Sequence, residues 1–252
     1  MDSLDKFDRI YIIHCVENTE RMTNIEWQLN SFPEHVLNKV SIEFTCYFPF
    51  SDVCANALLF SNKSRFLNNK NEFNLTREFY RIIKTSYCLG LERILILEDD
   101  FVFMQPHIAE EFLKEMPEDF DIIQLSYLFN DKQYDYVDII NEYKKGSKFI
   151  KKTFGAFSNN GLCLSRNGMK WWLERIESEF TAADIPAHES KNNMHFFGKT
   201  NLANKEINHY IPTIPVIYVD GMNSSVQTED KYELYKFYTL LDKNIYNIKN
   251  VN

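Results

Sequence analysis

The stretch that most constrains this chain is short. Ile94-Leu95-Ile96-Leu97 runs straight into Glu98-Asp99-Asp100, so four aliphatic residues end in three carboxylates. An apolar run of this length bounded by charge predicts a strand buried on both faces, the pattern of a central strand in a parallel sheet. Ligands of open α/β sheets bind beyond the carboxyl ends of such strands, which puts the three acids at the mouth of a site. If the backbone stays extended, Glu98 and Asp100 point to one side and Asp99 to the other. Two carboxylates on one side suit Mn²⁺ or Mg²⁺, hard cations held by one or two carboxylates together with substrate phosphates. The same residues also suit a solvated acidic turn that ends the strand. Three adjacent acids repel one another, however, and a cation relieves that cost.

The surrounding pattern alternates strands and helices. Residues 10–15 form a second apolar, β-prone run, followed by a helical pattern through Ile25, Leu29 and Phe32 that stops at Pro33. In the loop and first turn between them, Arg21 suits a pyrophosphate or carboxylate partner, and it equally suits a surface ion pair with Glu17 or Glu20. His14 ends its apolar run, a setting that predicts a hydrogen-bonded core residue. A strand is predicted over residues 41–48 and an asparagine- and lysine-rich surface loop over 61–71. A helix of about four turns follows over 75–90, closed by Gly90, and it feeds the acidic strand directly. Beyond the acids come a helix (107–116), a strand (119–127), a polar insertion (131–147) and a glycine-bearing stretch (154–165). The next helix (166–176) carries Met169, Trp172, Leu173 and Ile176 at core spacing. Residues 211–220 are punctuated by Pro212 and Pro215, which predicts an edge strand or an extended segment. The segment from residue 230 reads as an amphipathic docking helix.

Composition narrows the function. With 28 basic and 36 acidic residues the formal net charge is −8, which argues against an extended nucleic-acid surface and requires local cations or a metal for any phosphorylated ligand. Five widely spaced cysteines without a C-x-x-C pair point to buried, reduced thiols. The acidic amino terminus lacks the basic segment of a secretory signal, and no apolar run approaches the ~18 to 20 residues that cross a bilayer, so a cytoplasmic location is the expectation. Farther along, residues 180–189 bring Asp184, His188 and Glu189 close together, residue types that suit a general base or further metal ligands.

In this order the blocks resemble glycosyltransferase family 25, which includes lipopolysaccharide-modifying and collagen-modifying galactosyltransferases. The similar segments are Ile12-Ile13-His14-Cys15 with Glu20-Arg21, Asn74-Leu75-Thr76 through Tyr80 to Leu97-Glu98-Asp99-Asp100, and Phe120 through Leu125. Gly155 through Ser165 with Arg166-Asn167-Gly168, the position of Asp184, and Ser224-Ser225-Val226 complete the set. His14 replaces the family's asparagine, and Arg77 its histidine.

The resemblance, over about residues 8 to 228, implies a GT-A-type (Rossmann-like) α/β fold with a mixed, mostly parallel sheet flanked by helices; with the length and the amphipathic pattern, the expectation is one domain over residues 1–228 and a helical tail over 229–252. It further implies inverting transfer of a hexose such as galactose from a nucleotide-sugar, typically UDP-linked, to a hydroxyl of a glycan or protein acceptor. Asp100 and Glu98 would hold the metal, Glu98 or Asp99 would meet the nucleotide ribose or the metal through water, and Arg21 would face the diphosphate. Asp184 is the first candidate base, with Glu189 and His188 behind it. Metal-assisted phosphoryl transfer or hydrolysis, and a non-catalytic nucleotide- or glycan-binding module descended from a transferase, are the competing readings.

Overall fold

The computed structural model describes residues 1–45, 70–127, 136–151, 160–178 and 207–219. Period-two alternation along the strands decides how its layers form. In β1 (Arg9–Cys15), Ile10 and Ile12 enter one core and Tyr11 and Ile13 the other. In β3 (Arg93–Glu98), Leu95 and Leu97 join the first core and Ile94 and Ile96 the second. The acidic strand is therefore buried on both faces, as its unbroken aliphatic run predicts.

Each face is covered by helices whose apolar residues recur at helical spacing. On one side lie α1 (Thr19–Leu29), the short α2 (Glu34–Leu37) and α4 (Pro106–Lys114), contributing Ile25, Val36, Ala109, Phe112 and Leu113. On the other lie α3 (Lys70–Cys88) and α6 (Arg166–Ser178), whose Phe79, Ile82, Ile83, Met169 and Trp172 pack together under the sheet. The Met169, Trp172, Leu173 and Ile176 stripe is thus core. The helix α3 begins at Lys70, five residues before the predicted start, because its polar first turn carries no apolar periodicity to read. Gly90, with φ +79, follows its end as expected of a helix-stopping glycine.

The seven-stranded sheet has the order β2-β1-β3-β7-β5-β8-β6, with β2 (Val40–Thr45), β5 (Ile122–Gln124), β6 (Phe149–Lys151), β7 (Leu162–Ser165) and β8 (His209–Pro212). β1 runs parallel to β2 and β3, and β5 parallel to β8; β7 and β6 run the opposite way. The result is an α/β fold with a mixed, mostly parallel sheet flanked by helices. A separate two-stranded ladder joins β4 (Phe101–Phe103) to β9 (Ile217–Val219).

Two regions differ from the sequence expectation. Residues 211–219 hold parts of two short strands in place of one edge strand or a plain extended segment: Pro212 ends β8, which lies between β5 and β6, and Pro215 falls between β8 and β9. Proline removes a ladder hydrogen bond, so it is tolerated at a strand end and in a bend as it is at an edge. Within the polar insertion, residues Tyr136–Lys144 form a helix, α5. The proposed tail over 229–252 and most of the 61–71 loop lie outside the described residues.

Candidate functional site

The acidic strand ends at Glu98, and Asp99-Asp100 make the turn that leads into β4. The backbone does not stay extended, so the alternation of Glu98 and Asp100 against Asp99 does not hold. Asp99 folds back into the protein and is only 4% exposed. Its Oδ2 lies 3.0 Å from His14 Nδ1 and accepts the Cys15 N–H at 3.1 Å, while Oδ1 accepts from Arg21 Nη1. An ionised carboxylate can only accept, so His14 carries its proton on Nδ1 in this arrangement. One side chain from the end of β3 therefore fastens the end of β1 and the first turn of α1.

Arg21 has a carboxylate partner, one of the roles its position suits, and that carboxylate is the protein's own. It bonds Asp99, and the same Nη1 stands 3.7 Å from Asp100 Oδ2. Burial disfavours its charge, but Asp100, Asp99 and Glu98 outweigh that cost and hold the guanidinium above its ordinary value. Arg21 is a fixed cation built into the acidic turn. His14 is the hydrogen-bonded core residue its setting predicted, buried against the Phe44 ring and Asp99.

Two asparagines that the sequence reading did not single out complete the turn. Asn24 Nδ2 donates to the carbonyls of Asp99 (3.3 Å) and Phe101 (3.0 Å), holding the main chain on either side of Asp100. Asn24 lies one helical turn after Arg21 on α1, and that i, i+3 spacing was the available signal. Asn160 comes from the other direction, just before β7. Its Oδ1 accepts the Glu98 N–H at 3.1 Å and its Nδ2 donates to Asp100 Oδ1 at 2.8 Å. Asp100 is 8% exposed and Glu98 is half-buried.

These environments sort the three acids as donors for a cation. Asp99 has both oxygens engaged by His14, Cys15 and Arg21, so its carboxylate is committed to the fold. Glu98 and Asp100 are the remaining two, and one or two carboxylates beside ligand phosphates are the donors that Mg²⁺ or Mn²⁺ takes. No group of three or more His, Cys, Asp or Glu side chains suited to a metal gathers among the described residues. Asp184, His188 and Glu189 lie outside the described residues. Among the three described cysteines, Cys163 is buried, and that burial pushes its thiol well up; Cys15 is half-buried and Cys88 exposed. No helix among the described residues is long and apolar enough to cross a membrane.

No family model matches the sequence, and no curated protein matches it. Among solved structures, the crystal structure of mouse xyloside xylosyltransferase 1 in its apo form is similar at 10% identity and a TM-score of 0.33, over 71% of this chain and 78% of that one. A likeness of this degree leaves the activity to be read from the side chains of the site.

Proposed function

We propose that the chain is a nucleotide-sugar-dependent glycosyltransferase whose donor diphosphate binds at the Glu98-Asp99-Asp100 turn. The observation that carries this reading is the state of Asp100. A carboxylate at the carboxyl end of a central strand is almost fully buried, hydrogen-bonded by Asn160 and placed beside Arg21. Burying a carboxylate is costly unless it is paired, and Asn160 and Arg21 supply partners for Asp100.

In this reading Glu98 and Asp100 hold Mn²⁺ or Mg²⁺, which when bound neutralises charge on the leaving diphosphate. Asp99, Arg21 and His14 keep the turn in shape. The donor is a UDP-linked hexose such as galactose, and the acceptor a hydroxyl of a glycan or protein. For inversion, a base removes the acceptor proton as that oxygen bonds to the anomeric carbon and the sugar-phosphate bond breaks, its electrons leaving with the diphosphate. Asp184 is the first candidate for the base, ahead of Glu189 and His188, on residue type and on the family resemblance alone.

Calorimetric titration with UDP, GDP, CMP and ADP, each with and without Mn²⁺, tests the proposal. One nucleotide should bind in a Mn²⁺-dependent way, and Asp100→Ala should abolish that dependence while still unfolding cooperatively. Binding of none of the four, or unchanged Mn²⁺ dependence in Asp100→Ala, would remove the assignment.

A further inference from the structure

The residue that orients Asp100 comes from the one strand that enters this part of the sheet backwards. β7 is antiparallel to both of its neighbours, β3 and β5, so its first residues arrive where the other two strands end. Asn160 stands at that point and is 2% exposed. The next residue fixes it there. Gly161 has φ +81, and a Cβ at that position would lie 2.7 Å from Ile217 Cδ1 and 2.9 Å from Leu125 Cβ. Only glycine meets both demands, the backbone angle and the lack of space. Its N–H bonds the Ile96 carbonyl at 3.2 Å and its carbonyl accepts from Leu125 N–H at 2.9 Å, which ties Gly161 to β3 on one side and to the residue after β5 on the other.

The orientation of the Asn160 carboxamide follows from chemistry. A flipped amide would set its NH₂ against the Glu98 N–H and its oxygen against the Asp100 carboxylate, two repulsive contacts in place of two hydrogen bonds. We propose that Asn160 is the positioning residue of the acidic turn: by clamping the Glu98 main chain and Asp100 Oδ1 together, it fixes the plane of the Asp100 carboxylate and turns Oδ2 toward the Arg21 side, where the cation and diphosphate bind. This assignment rests on the transferase reading above. Partners that orient a metal-binding carboxylate commonly govern affinity as strongly as a weak ligand does, by about 10- to 100-fold.

The test compares the full-length wild type with Asn160→Leu, which keeps roughly the side-chain volume without its hydrogen bonds, and Asn160→Ala. Each is titrated with Mn²⁺ alone, with UDP alone, and with UDP in the presence of Mn²⁺, and its thermal midpoint is recorded. The expected result is a loss of about tenfold or more in Mn²⁺ affinity and in the Mn²⁺-dependent part of UDP binding in both variants. Metal-free UDP binding should be unchanged, with midpoints within about 10 °C of the wild type. A merely structural role would weaken metal-free and metal-dependent binding together, and that result overturns the proposal, as does failure of both variants to fold. Wild-type Mn²⁺ affinity in the variants would remove Asn160 alone. A wild type that binds neither Mn²⁺ nor UDP would remove the transferase reading and this assignment with it.

Discussion

The two ends of the β1–β3 pair are fastened by the same device in opposite surroundings. At the amino end of β3, the exposed Asp8 accepts the main-chain N–H groups of Glu92 (2.6 Å) and Arg93 (2.9 Å), and Arg93 reaches out to Glu118 at 2.7 Å. At the carboxyl end, Asp99 accepts the N–H of Cys15 on β1, but it does so inside the protein, with His14 and Arg21 on its remaining positions. One aspartate is solvated and the other is dry. Water can replace what Asp8 does, whereas nothing replaces Asp99, so the same hydrogen-bonding job carries very different consequences. A dry, paired carboxylate is also the costlier arrangement to maintain. Its place at the end where Asp100 and Glu98 gather is what joins stability to the proposed function.

The comparison can be broken most forcefully at Asp99. Asp99→Ala leaves Arg21 and His14 facing a void, and about 3 to 5 kcal/mol of stability should be lost in urea unfolding. A loss below about 1 kcal/mol would show that the two ends are equivalent after all. Asp8→Ala at the solvated end should cost about 0.5 to 1.5 kcal/mol, since water takes over the two N–H groups. The smallest effect is expected at Glu118. Its hydrogen bond to Arg93, and Arg93's charge, hold its carboxyl below the usual range. A folded value below the unfolded one means that the stabilisation is present above the ordinary carboxylate value and is lost as pH falls through the folded value. Because Glu118 is 72% exposed, solvent and salt screen that contribution to less than about 0.5 kcal/mol. The acid limb of the unfolding curve should therefore be nearly the same in Glu118→Gln as in the wild type, and a clear shift would mark the solvated end as more than a fastening.

Much of the frame was legible in the residues. β1 and β3 declare themselves because a strand buried on both faces must be apolar at every position, and that leaves an unbroken aliphatic run. His14 was legible as a bonded core residue because a polar side chain ending such a run has to find a partner. Arg21 was harder: the neighbouring Glu17 and Glu20 offered local partners, while the carboxylate it bonds lies 78 residues onward. Asn160 was not legible at all. Leu162–Ser165 reads as a buried strand whichever way it runs, and the side-chain pattern of a four-residue strand carries no information about its direction relative to β3. The role of Asn160 follows entirely from that direction. The shape of the acidic turn was open for a related reason, since nothing in three consecutive acids says whether the chain stays extended through them.

The reversed strand also has a consequence for how the protein is made. Asp100 leaves the ribosome sixty residues before Asn160, and the β3 edge it terminates stays without its β7 partner for as long. At about 5 to 20 residues per second, that interval is roughly 3 to 12 s, in which an aliphatic strand edge is open to any other chain. Glu98, Asp99 and Asp100 place three charges at the tip of that segment, the pattern that opposes aggregation of an apolar strand. The acids that end β3 are thus made sixty residues ahead of the asparagine that bonds one of them.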